Sequence, residues 1–111
     1  MRDIICGLSE HALTWLEDDS VDLVVTDPPY GISFMGKDWD KAVPGVDIWR
    51  ECLRVLKPGA FAFVMSGPRM DCLSEMGKRL AEAGFEIGFS PIYWAYASGF
   101  PKAANIGKLV D

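Results

Sequence analysis

The run VDLVVT at residues 21–26 ends directly in Asp27-Pro28-Pro29-Tyr30, and that junction constrains the fold more than any other feature of the chain. A short, nearly unbroken apolar run rich in β-branched residues reads as a strand buried in a parallel sheet. Pro28 and Pro29 have fixed φ and no backbone N–H, so no ladder continues through them. The strand therefore delivers Asp27 to its own carboxyl end and stops there.

The segments on either side alternate in period. Residues 3–6 predict a short apolar strand broken by Gly7, and Ser9 caps a helix through Glu17 with Ala12, Leu13 and Leu16 on one face. A long polar loop, residues 27–44, follows the central strand. Val46, Trp49, Cys52, Leu53 and Leu56 recur at helical spacing, and Lys57-Pro58-Gly59 stops the helix they predict. AFAFVM at residues 60–65 predicts a second buried strand, and Ser66-Gly67-Pro68 a turn. Leu73, Met76, Leu80 and Ala83 predict the next helix, with Gly84 where a left-handed cap belongs. Phe85–Ala97 predicts a long aromatic strand bent at Pro91, and Ala104–Val110 the beginning of a helix. Alternation of this kind predicts an α/β domain: a mostly parallel sheet of about four strands, doubly wound, with helices on both faces. In such sheets ligands bind beyond the carboxyl ends of the strands, which is where Asp27 falls.

The order Asp-Pro-Pro-Tyr suits one chemical problem. The exocyclic amine of adenine or cytosine is a poor nucleophile because its lone pair is delocalised into the ring. Two acceptors on the amine hydrogens make the nitrogen more tetrahedral and turn the lone pair one way. Asp27 supplies a carboxylate oxygen, and a backbone carbonyl of the next residues supplies the second acceptor. Pro28 and Pro29 stiffen the turn and leave no competing donor. Tyr30 offers a flat ring for a base that has left the duplex. Catalysis of this sort is positioning plus oriented dipoles. The alternative reading is a stiff turn in which Asp27 accepts local backbone bonds.

The bulk numbers set limits. The chain has 111 residues, half of them hydrophobic and 24% charged, which suits one small globular domain. Eleven Lys and Arg are scattered among sixteen acids, for a net charge of −5. A domain that grips DNA alone usually carries a basic stripe. If DNA is the partner, regions outside this chain hold most of its backbone. Lys37, Lys41, Arg69 and Lys102 read as solvated surface charge rather than phosphate contacts. Cys6, Cys52 and Cys72 lie in apolar segments without C-x-x-C spacing, so three buried free thiols are expected. His11 stands without matching ligands, and no metal site is expected. No signal peptide opens the chain and no apolar run approaches the ~20 residues of a membrane span, so the expected setting is cytoplasmic.

The stretch VDLVVTDPPYG resembles the catalytic motif of the DNA amino-methyltransferases, the D/N/S-P-P-Y/F/W family that uses S-adenosylmethionine. GKDWDKAVPGVDIWRECLRVLKPGAFAFVMSGPR and YWAYASGFPKAANIGKLVD are similar to phage and prophage members, so the resemblance covers nearly the whole chain. It implies a Rossmann-like methyltransferase sheet. It implies catalytic roles for Asp27 and Pro28 on the amino group and Tyr30 on the flipped base, with Pro29 as scaffold. Asp at the first position is more common among adenine enzymes than among cytosine enzymes. Family members carry a Phe-x-Gly-x-Gly cofactor loop, which this chain lacks, and Gly-Asp where Gly7-Leu8 stands here. The resemblance therefore implies the catalytic half of a permuted enzyme, with the donor loop and DNA-recognition region beyond Asp111.

Trp94 and Tyr96 alternate along the last predicted strand and so share a face; they either wall the base pocket or pack in the core. Trp39 either touches DNA from the loop or anchors that loop. Two other functions stay open. One is methylation of an RNA base or a protein amide, disfavoured by Asp27, since such enzymes more often begin the motif with Asn. The other is a catalytically silent remnant that associates with itself or another subunit through an exposed sheet edge.

Overall fold

The computed structural model describes residues 2–31, 43–95 and 97. Its elements run α1 (Ser9–Ala12), a 3₁₀ turn (Leu13–Trp15), β1 (Val21–Thr26), α2 (Val46–Val55), β2 (Leu56–Val64) and α3 (Met70–Ala83). β1 and β2 pair in parallel, with α2 as the crossover between them. Leu23, Val24, Val25 and Thr26 lie beside Phe61, Ala62, Phe63 and Val64. Between the first pair, Val21 with Leu56, and the second, β1 advances two residues while β2 advances five. The excess is a bulge, and Gly59 at φ +81° turns within it, a conformation that glycine adopts without steric cost.

The core forms on one side of this two-stranded sheet. Trp49 and Cys52 of α2 meet Met76 and Ala83 of α3, with Val43 beside them and Leu13, Val46, Ile48, Val64, Leu80 and Phe85 packed around. Helical spacing accounts for this directly: Trp49, Cys52 and Val55 fall on one face of α2, and Cys72, Met76 and Ala83 on one face of α3. Burying a side chain such as Met76 or Val55 contributes about 1.5–3 kcal/mol. An exposed ion pair such as Arg50–Asp47 contributes about 0–1 kcal/mol. The helix pair thus rests on its apolar seam. The buried indole N–H of Trp49 finds no acceptor among the described residues, which subtracts about 1–3 kcal/mol from that gain.

Arg54, near the end of α2, ties the preceding segment down. Its guanidinium donates to the carbonyls of Leu13 (2.9 Å) and Leu16 (2.9 Å), to Asp18 (2.6 Å) and to Glu51 (2.9 Å). The Glu51 and Asp18 hydrogen bonds raise its pKa further above the usual guanidinium range. Backbone bonds from Asp19 to Arg54 and from Ser20 to Val55 complete the entry into β1.

Several expectations are corrected. Residues 3–6 and 85–95 run without strand pairing, so among the described residues the sheet has two strands rather than four, and its helices share one core. A strand exists only through a neighbour's ladder, which an apolar run cannot supply for itself. Ile4 is fully exposed as a result. Ser9 does not cap the first helix. It is the first helical residue, after Leu8, and the predicted helix shortens to one α-turn and a 3₁₀ turn, with the Thr14 hydroxyl donating to the His11 carbonyl. Cys6 is exposed, whereas Cys52 and Cys72 are buried; all three thiols are free. The helix over residues 46–55 ends one residue before Leu56, and Lys57-Pro58-Gly59 belongs to β2. The helix expected over 104–110 lies outside the described residues. No helix among the described residues is long and apolar enough to cross a membrane.

Gly84 ends α3 at φ +112°, with its N–H on the Ala81 carbonyl and that of Phe85 on the Leu80 carbonyl. A Cβ at Gly84 meets Leu53 Cδ2 at 2.9 Å, but that atom is the end of a mobile side chain, so the left-handed backbone dominates the cost. Gly84→Ala is expected to destabilise the fold by about 1–3 kcal/mol. Urea unfolding checks this: the midpoint falls while the slope stays unchanged.

Candidate active site at the carboxyl edge of the sheet

The hydrogen bond from Met65 N–H to the Thr26 carbonyl (2.9 Å) carries the parallel pairing to the last residue of β1. Beyond it the two strands release Asp27-Pro28-Pro29-Tyr30 and Ser66-Gly67-Pro68 side by side. The ring of Tyr30 lies over Gly67, where a Cβ would meet Tyr30 Cδ2 at 3.6 Å. A methyl group at 67 would therefore sit in ordinary contact with that ring. Asp27 is exposed, while Pro28, Pro29 and Tyr30 are half-buried. The Tyr30 hydroxyl donates to Asp27 Oδ1. A carboxylate and an aromatic ring therefore stand together on one turn that contains two prolines.

Two cavities flank this turn. One, of about 480 Å³, reaches from Ile5 and Leu13 past Val24 and Thr26 to Asp27, Pro28 and Pro29. The other, of about 330 Å³, opens beside Tyr30 and Gly31 and is walled by Val43, Cys72 and the polar side chains of Asp71, Glu75 and Arg79 on α3. Either volume accommodates a flat heterocycle.

Polar groups around α3 are paired. Arg69 Nε and Nη2 donate to the two oxygens of Asp71 at 2.7 and 3.0 Å, and Cys72 N–H donates to Asp71 Oδ1 at 2.9 Å. The Arg69 hydrogen bond is the largest cause holding the Asp71 carboxyl down at about 2; burial opposes it. Arg69 itself is raised above its ordinary value by the same hydrogen bond. Arg69 is thus engaged in an intramolecular pair. Burial, with Glu51 nearby, pushes the Cys52 thiol up, which keeps it protonated and inert.

The residues expected on the last strand do not join this cluster. Trp94 is 81% exposed and lines neither cavity. Tyr96 and Trp39 lie outside the described residues, as do Lys37, Lys41 and Lys102. Sequence reasoning passed over Gly67, Asp71 and Arg79, which the structure brings to the motif. The only sequence signal for Arg79 was its spacing of four residues from Glu75, with which it pairs at 2.9 Å.

The described residues do not fit an S-adenosylmethionine pocket. The larger cavity is walled almost wholly by hydrocarbon, and among the described residues Asp27 is the one carboxylate on it that could accept from ribose hydroxyls. Gly7 is followed by Leu8, which is exposed and offers no acceptor. Of the glycines among the described residues, Gly31 alone lines either cavity, and it belongs to no glycine-rich turn there that would cradle such a ligand.

The chain is similar to the type II methyltransferase M.HpaI of Haemophilus parainfluenzae, at 33% identity over 121 positions. The match takes in 97% of this chain and 36% of that protein, so the chain spans about a third of its relative's length. No family model matches the chain, and no solved structure matches it. The likeness takes in nearly the whole chain and supports a DNA-methyltransferase kinship for it.

The folded carboxyl of Asp71 titrates near 2, against an ordinary value of 3.8. A carboxyl depressed by folding stabilises the native state above its unfolded pKa, and that contribution fades as pH falls through the folded value. Asp71→Asn is therefore expected to remove a stability loss lying between pH 3.8 and about 2. Thermal midpoints across that window, flatter for the variant than for the parent, provide the check.

Proposed function

We propose that this chain forms the base-binding side of an S-adenosylmethionine-dependent methyltransferase that modifies an exocyclic amino group in DNA, adenine in preference to cytosine. One observation carries this reading: Asp27 and Tyr30 stand together, with the carboxylate exposed, on a proline-stiffened turn at the carboxyl end of a parallel strand. The similarity to a type II methyltransferase over nearly the whole chain supports it.

In this reading the target base leaves the duplex and lies against Tyr30. Its amino group donates one hydrogen to Asp27 and the other to the Pro28 carbonyl. Both acceptors favour a localised lone pair, and their rigidity means little reorganisation is needed when that lone pair reacts. The Tyr30 hydroxyl competes for Asp27 Oδ1, so an incoming amine takes Oδ2 or displaces the phenol. Methyl donation belongs to S-adenosylmethionine. The described residues do not hold it, so they supply only the acceptor side. DNA contacts rest largely on regions other than this acidic chain.

The test is incorporation of labelled methyl groups into duplex DNA by an enzyme that joins these residues to a donor-binding half. Asp27→Ala is expected to lower transfer about a hundredfold or more, the scale of losing a preorganised polar contact. Tyr30→Phe keeps the ring and frees Asp27 Oδ1, and is expected to retain transfer. Undiminished transfer by Asp27→Ala would remove the carboxylate from its proposed role.

A second reading, a silent module that pairs with another copy of itself, is favoured by one observation. Leu23, Val25, Phe61 and Phe63 form an exposed apolar face on the sheet, extended by the edge-to-face contact of Phe61 with Phe89 (6.1 Å). Sedimentation at micromolar concentration is expected to show association; a clean monomer would dismiss this reading.

A further inference from the structure

We infer that Arg79 is a positioning residue for the base pocket, holding the returning end of the loop that leaves Asp-Pro-Pro-Tyr; this rests on the reading proposed above. Arg79 sits on the third turn of α3. Its Nη1 donates to the carbonyls of Val43 (3.0 Å) and Pro44 (3.2 Å), thirty-six and thirty-five residues away in sequence. Its Nε donates to Glu75 Oε1 at 2.9 Å, which aims the guanidinium. Tyr30, Gly31, Val43, Glu75 and Arg79 line the same cavity of about 330 Å³. Tyr30, Gly31 and Val43 therefore face one space, Pro44 lines the other cavity together with Asp27, and Arg79 bonds both Val43 and Pro44 to α3.

The position of the acceptors distinguishes this role from a simple helix staple. A staple between α2 and α3 would take its acceptors from α2. Both carbonyls used here precede α2, whose N-cap Gly45 supplies no side-chain bond. Val43 is held twice, by its buried side chain in the core and by its carbonyl on Arg79. Hydrogen bonds from a guanidinium are charge-assisted and directional, so they set where a backbone lies and not only that it is near. A base stacked on Tyr30 from the side of this cavity has Val43 among its walls. By fixing Val43, Arg79 sets how wide the cavity stands beside Tyr30.

The test uses the full chain and needs no methyl transfer. The probe is the free 2-aminopurine nucleoside at high concentration, which needs neither contacts to a DNA backbone nor extrusion from a duplex. Its emission reports stacking, and hydrogen exchange of residues 43–49 reports the anchor. The parent chain is expected to change the emission, and Tyr30→Ala to abolish that change. Arg79→Met is expected to raise the Kd about tenfold and to speed exchange over residues 43–49, with Arg79→Lys intermediate. If the parent leaves the emission unchanged, the base-binding reading falls, and this inference with it. If the parent responds but Arg79→Met binds within about twofold of it, Arg79 is only a staple and the inference alone is overturned. Unchanged exchange over residues 43–49 overturns it equally.

Discussion

The parallel pairing of β1 with β2, carried to its end by the bond from Met65 to Thr26, is the contact on which the rest of the site depends. It brings two turns distant in sequence to one edge. Because the pairing is parallel, both strands finish there together, and Tyr30 and Gly67 become neighbours. An antiparallel pair would have sent the turn after β2 to the opposite end. The crossover helix α2 that parallel pairing requires then supplies half of the core.

The remaining anchors make that edge rigid by different means. The seam of Trp49 and Cys52 against Met76 and Ala83 supplies non-directional burial energy. Arg54 and Arg79 supply direction: each spends its guanidinium on backbone carbonyls of connecting segments, Leu13 and Leu16 for one, Val43 and Pro44 for the other. Carbonyls of irregular segments need donors that secondary structure does not provide, and a multi-donor cation on a neighbouring helix meets the need. The segments entering β1 and α2 are both fixed in this way, so the motif between them is held from either side.

The exposed sheet face places a limit on what these residues do alone. Leu23, Val25, Phe61 and Phe63 have the composition of a buried surface and stand in solvent. Residues 85–95 have strand-like sequence and no partner ladder. Together with the hydrocarbon lining beside Asp27, this agrees with a chain spanning about a third of its relative.

Much of the framework was legible in the sequence because its causes are local. The β-branched run 21–26, the helical spacing of Trp49, Cys52, Met76 and Ala83, and Gly84 at a left-handed cap depend on neighbours only a few residues away. The Asp-Pro-Pro-Tyr turn was equally legible, since prolines fix φ wherever they occur. The number of strands, the exposure of Cys6 and Trp94, and the parts played by Gly67, Arg54 and Arg79 were decided only in three dimensions. Each depends on which distant segment arrives alongside: a strand needs a ladder partner, a thiol needs a covering surface, and a guanidinium needs carbonyls left unbonded by some other turn. Periodicity in the chain carries the first kind of information, and only tertiary packing carries the second.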